Sequence, residues 1–195
     1  MKLTRRGILA TSTVALAGCG LVPEESDPVE ASASAPAVLP DDAGYDEVTS
    51  EETTVETTIS VDFSGDVELN ASRDVVATVF RRLYEADDGR RFGLVTAPAA
   101  RIFESPEVVR DPVGSLDAAR VVELGTGLPV ERVGATSEGG SVTLLGTEVT
   151  LTTATTTADG DVSTAWTRVR AGEDSVTAVA TGGADAPFGA VTRDG

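Results

Sequence analysis

The chain has 195 residues, 32 of them Asp or Glu and 15 Lys or Arg, for a formal net charge of −17, with one cysteine and no histidine. Without imidazole there is no Ser-His-Asp triad and no His-ligated metal, and a lone thiol excludes an intrachain disulfide and Cys-based zinc or iron–sulfur sites. So large an acidic excess leaves no basic face to neutralise phosphates, so no nucleic-acid partner is expected.

The chain opens MKLTRRGILATSTVALAGC, and Lys2, Arg5 and Arg6 are the only charged residues of its first 23. The apolar stretch from Gly7 to Gly18 falls short of the ~20 residues a bilayer span needs. A basic head, a short apolar body and small residues before a cut site make a secretory signal peptide. Thr4-Arg5-Arg6-Gly7-Ile8-Leu9 resembles the twin-arginine export motif. Leu16-Ala17-Gly18-Cys19 resembles a lipobox, whose cysteine becomes the lipidated first residue of the mature protein. The expected partners are therefore the export machinery and, through Cys19, the outer face of the cytoplasmic membrane. Removing residues 1–18 would leave 32 acidic and twelve basic residues, all twelve arginine, for a net charge of −20. Such a surface suits molar salt, where the Debye length falls to ~3 Å and self-repulsion is screened.

Residues 20–52 hold ten acidic residues, no basic residue, and Pro23, Pro28, Pro36 and Pro40. With Cys19 they read as an acidic, Pro/Ala/Ser-rich tether, residues 19–52, before a domain at 53–182 and a loose tail at 183–195. Val55, Thr57, Ile59, Val61 and Phe63 alternate with polar residues as a half-buried strand. After a Ser64-Gly65-Asp66 turn, the Val- and Phe-rich run to about Tyr84 reads as one long strand, and RRFGLVTAP as a third. Ser115 is the expected N-cap of a helix whose apolar side is Leu116, Ala119, Val121 and Val122, with Gly125 as its stop. SVTLLGTEVTLTTATTT reads as the longest remaining strand, and turns at 158–161 and 172–174 lead into VSTAWTRVR and SVTAVAT. The expected fold is therefore α+β: a mainly antiparallel, curved sheet of about six strands with one or two helices packed on it.

Motifs for chemistry are few. There is no GxSxG elbow and no phosphate-binding GxxxxGK[ST] loop. Gly125-Thr126-Gly127 reads as a helix C-cap, Asp159 and Asp161 as hairpin residues, and Trp166 as core. No catalytic residue, metal ligand or cofactor is assigned. Asn70-Ala71-Ser72 is an N-glycosylation sequon on the only asparagine.

The export motif, the lipobox, the acidic linker and the Glu173-Asp174-Ser175-Val176-Thr177-Ala178-Val179 segment resemble haloarchaeal lipoproteins with an uncharacterised C-terminal domain. Gly93-Leu94-Val95-Thr96-Ala97-Pro98 adds to the likeness. The strand–helix–strand order is also similar to small export-pathway domains of the photosystem-assembly and lipoprotein-carrier kinds, a likeness of fold and not of function. The resemblance implies no catalytic residues. The expected function is a lipid-anchored, non-enzymatic interaction or accessory module on the cell surface. The alternatives are a carrier for a lipid or other apolar ligand and, third, a carboxylate-dependent hydrolase.

Overall fold

The computed structural model describes residues 27–63, 69–104, 107–183 and 185–193. Two short strands come first, β1 (Val29–Ser32) and β2 (Ala37–Val38), then a 3-10 turn at Asp41–Ala43 and the long strands β3 (Asp46–Phe63) and β4 (Leu69–Glu85). There follow β5 (Arg91–Pro98), β6 (Ala100–Glu104), β7 (Glu107–Arg110), a 3-10 turn at Val113–Ser115 and the helix α1 (Ala118–Thr126). The chain continues through β8 (Arg132–Val133), β9 (Ser137–Leu144), β10 (Thr147–Thr157), β11 (Asp161–Ala171), β12 (Asp174–Thr181), a 3-10 turn at Phe188–Ala190 and β13 (Thr192–Arg193).

Nine strands form one sheet in the order β1-β4-β5-β12-β11-β10-β8, with β3 paired to β4 and β9 to β10. β3 runs antiparallel along β4 from Asp46↔Glu85 to Phe63↔Leu69. The opposite edge of β4 is shared: β1 lies parallel beside Val75–Thr78, and β5 antiparallel beside Phe80–Glu85. β2–β13 and β6–β7 are separate two-stranded ladders.

Alternation along the strands sends side chains to two faces, each covered over the middle of the sheet. On one, Phe92, Leu94, Leu144, Leu151 and Val176 pack with Leu39, Tyr45, Phe188 and Val191. The Phe92 and Phe188 rings meet edge to face at 5.3 Å, the arrangement their quadrupoles favour. On the other face Val55, Ile59, Val75, Val79 and Val95 pack with Ile102, Val108 and Val113, and Val121 and Val122 of α1 pack on Val179.

The expected α+β class is corrected to a mainly-sheet fold: among the described residues, a curled, mixed nine-stranded sheet with one α-helix. A nine-residue helix covers only the middle of one face, and strands do the rest. Three local readings explain the difference. The region 141–157 is not one strand but the end of β9, a turn and β10, because Leu145 (φ 49°) and Gly146 (φ 76°) both take left-handed backbone, the geometry of a tight hairpin turn. Residues 27–52, read as part of the tether, carry β1, β2 and the start of β3. Residues 185–193, read as a loose tail, dock through buried Phe188 and Val191 and pair with β2.

The helix also starts later than expected. Its N-cap is Asp117, whose side chain accepts from the Arg120 N–H, not Ser115. Its stop is Gly127 at φ 67°, donating to the Glu123 carbonyl, not Gly125, since glycine takes left-handed backbone at no steric cost. Gly125 serves instead as a contact. A Cβ on Gly93 of β5 would lie 1.6 Å from the Gly125 carbonyl oxygen, and one on Gly125 would lie 2.4 Å from Val179 Cγ2. The helix backbone therefore sits directly on the sheet.

Candidate functional site

Three segments converge where β12 begins. Asp174 is 2% exposed, and its Oδ2 accepts from the Ser34 N–H at 3.0 Å and from Ser34 Oγ at 2.7 Å. Arg193 pairs with the same oxygen and donates to Ser34 Oγ at 2.9 Å, to the Ala171 carbonyl at 2.5 Å and to the Ala35 carbonyl at 3.3 Å. This is a charge-assisted clasp in which one buried carboxylate is paired with one guanidinium and accepts hydrogen bonds from a hydroxyl and an amide. It ties the segment after β1, the β11–β12 turn and β13 together.

Asp174 forms part of the floor of a cleft of about 500 Å³ between Ala31 and Ser32 of β1, Pro98 at the end of β5, the β6–β7 ladder and the β11–β12 turn. Its rim carries both signs of charge. Arg101 pairs with Glu107 at 3.2 Å, and Arg170 donates to the Gly172 carbonyl at 3.2 Å, with exposed Glu173 beside them. A second cleft, of about 410 Å³, is lined by Leu39, Tyr45, Glu47, Arg82 and Tyr84 among others. There Glu47 and Arg82 pair at 2.5 Å, and the Tyr84 hydroxyl accepts from the Leu39 N–H at 3.0 Å. Burial raises the Tyr84 hydroxyl above the ordinary phenol pKa, and burial does the same to Tyr45.

Chemically, both clefts can receive a polar ligand by hydrogen bonds and ion pairs. The carboxylate in the floor of the first is already held by Arg193 and Ser34. Among the described residues no three acidic side chains converge as a cation site.

Cys19, Arg5, Arg6, Leu16, Ala17 and Gly18, singled out in the sequence, lie outside the described residues. Asn70 is exposed in β4. Trp166 is half-buried against Val121, Val122 and Val179. Gly125-Thr126-Gly127 is the end of α1, and Asp161 accepts from Thr157 Oγ1 at 2.8 Å in its hairpin. Sequence reasoning missed the clasp, because Ser34 and Arg193 fall in the stretches read as tether and tail. Two signals were present: Val29 and Ala31 alternate with Glu30 and Ser32 as a strand does, and Arg193 is the first basic residue after Arg170.

No curated protein matches the chain. No solved structure matches it either. A family model described as a domain of unknown function (DUF6517) matches residues 32–189, a span running from the end of β1 into the 3-10 turn at Phe188. The chain therefore belongs to the DUF6517 family.

Proposed function

We propose that this chain is an exported lipoprotein of a halophile, held at the outer face of the cytoplasmic membrane by a lipid on Cys19, with its folded part acting as a non-enzymatic interaction module. The export motif at Arg5-Arg6 and the lipobox ending at Cys19 support the address. The observation that favours an interaction module over an apolar carrier is the direct seating of α1 on β5 and β12 through Gly93 and Gly125. With the helix backbone in contact with the sheet, no ligand-sized apolar gap lies between them. The clefts at the clasp and at Tyr84 are polar-rimmed and open to solvent, which suits recognition of another surface.

Val29 lies ten positions after Cys19, so the fold starts within about 35 Å of the anchor even with the chain fully extended. The module works close to the membrane, without the long tether that a disordered segment to residue 52 would supply.

Fractionation of cells tests the address. Cys19→Ser is expected to move the protein out of the membrane fraction, and Arg5→Lys with Arg6→Lys to leave it unexported. Organic extraction of the purified mature domain tests the module against the carrier. No stoichiometric lipid is expected, and one near unit occupancy would install the carrier instead.

A further inference from the structure

The sequon Asn70-Ala71-Ser72 lies on β4 near the far end of the β3–β4 ladder, and neither the clasp nor the clefts make use of it. Its three side chains alternate across the strand. Ala71 stands opposite Val61, which is buried. Asn70 and Ser72 point to the other face and are both exposed. Their partners across the ladder, Asp62 and Ser60, are exposed as well. The amide and the hydroxyl that the sequon requires therefore stand side by side on a solvent face, two residues apart, with the apolar residue between them turned inward.

Asn70 Nδ2 donates to Asp62 Oδ1 at 2.7 Å, a contact between two exposed groups that costs little to break. The chain has one asparagine and no glutamine, so its only side-chain carboxamide is the one at this sequon. A sugar there would project from an end of the ladder where Ser60, Asp62, Asn70 and Ser72 are all exposed, and would displace no buried side chain.

We propose that Asn70 is N-glycosylated in the protein made by its own cells, an inference that rests on the export reading, since the modification belongs to the exterior. The co-reactant is a sugar activated at its anomeric carbon by a phosphate leaving group. The Nδ2–C bond forms as the anomeric C–O bond to phosphate breaks, the phosphate oxygen takes the electron pair, and Nδ2 gives up one proton. The acceptor chain needs no residue beyond Asn70 and Ser72.

Arg73 is the first arginine after Arg6, and there is no lysine after Lys2. Cleavage at arginine therefore leaves Cys19 and Asn70 on one peptide, 19–73, and mass spectrometry of full-length protein from native cells reads both modifications at once. The expected peptide carries a lipid at Cys19 and a glycan at Asn70. A lipidated peptide with bare Asn70 overturns the glycan and leaves the export reading intact. A peptide bare at both positions overturns both, and a glycan without lipid upholds the glycan while removing the anchor. Ser72→Ala is expected to reduce the glycopeptide at least tenfold, and Ser72→Thr to retain it. Both changes fall on an exposed strand position, so folding is unaffected, and a glycan that survives Ser72→Ala overturns the sequon as its cause.

Discussion

At Gly93 and Gly125 the backbones of helix and sheet come so close that the side chain each residue lacks is the reason the fold closes. Gly93→Ala puts a methyl group onto the Gly125 carbonyl, and backbone on both sides cannot step aside as a flexible side chain would. A loss of about 3 kcal/mol or more is expected, read as a fall in the denaturation midpoint. Alanine at Gly89, where nothing lies within 4 Å but φ is +79°, should cost only about 1 kcal/mol. The tyrosines report the other face. Tyr45 and Tyr84 are the only two in the chain, and burial raises both. A raised phenol means the folded state holds its proton longer than the unfolded state does. Their contribution to stability is whole below the ordinary tyrosine pKa of ~10 and is lost as pH rises through the folded value. An alkaline titration followed by tyrosinate absorbance is expected to show the signal delayed beyond that of free tyrosine and arriving together with unfolding.

Among the elements, α1 is held at both ends by groups outside its apolar side. Asp117 caps the N-terminus, while Arg81 Nε donates to the Leu124 carbonyl at 2.6 Å and Arg91 to the Thr126 carbonyl at 3.1 Å, placing positive charge at the negative end of the helix dipole. Asp117→Ala is expected to cost about 1 kcal/mol. Ser115→Ala, which removes an exposed bond to the Asp111 carbonyl at 3.2 Å, should stay within about 0.5 kcal/mol. Denaturant titration of the two variants separates the true cap from the residue that looked like one. Ser and Asp are both good caps two positions apart, and composition alone does not choose between them. The same limit governed the strands. β3 was legible because apolar and polar residues alternate along it, β4 because it is rich in Val and Phe, and β5, β11 and β12 because β-forming runs lie between turn signals. β2 and β13 are two residues each and exist because they pair with one another across most of the chain, which no local pattern records. Of the clefts nothing was legible beyond Asp174 in its turn, since each is assembled from segments far apart in sequence.

For the whole molecule, charge decides the conditions under which it stands. Several ion pairs among the described residues, Arg90–Asp88, Arg101–Glu107 and Arg120–Glu123, are exposed on both sides, and pairs of that kind contribute ~0–1 kcal/mol each. They cannot offset a formal net charge of −17. Screening should matter more than pairing, so the thermal midpoint of the protein is expected to rise from dilute to molar KCl. Equal midpoints, or a lower one in high salt, would show that the acid excess is not a source of strain.

The clasp has a consequence for the order of events in folding. Ser34 and Arg193 are 159 residues apart, whereas β9, β10, β11 and β12 follow one another as hairpins. Contacts that close long loops form late and those within hairpins early. The consecutive strands assemble first, and the segments carrying Leu39, Tyr45, Phe188 and Val191 lock over them last. In amide exchange the β2–β13 ladder should therefore open at lower free energy than β5 and β12, exposing one apolar face of a sheet that is otherwise intact.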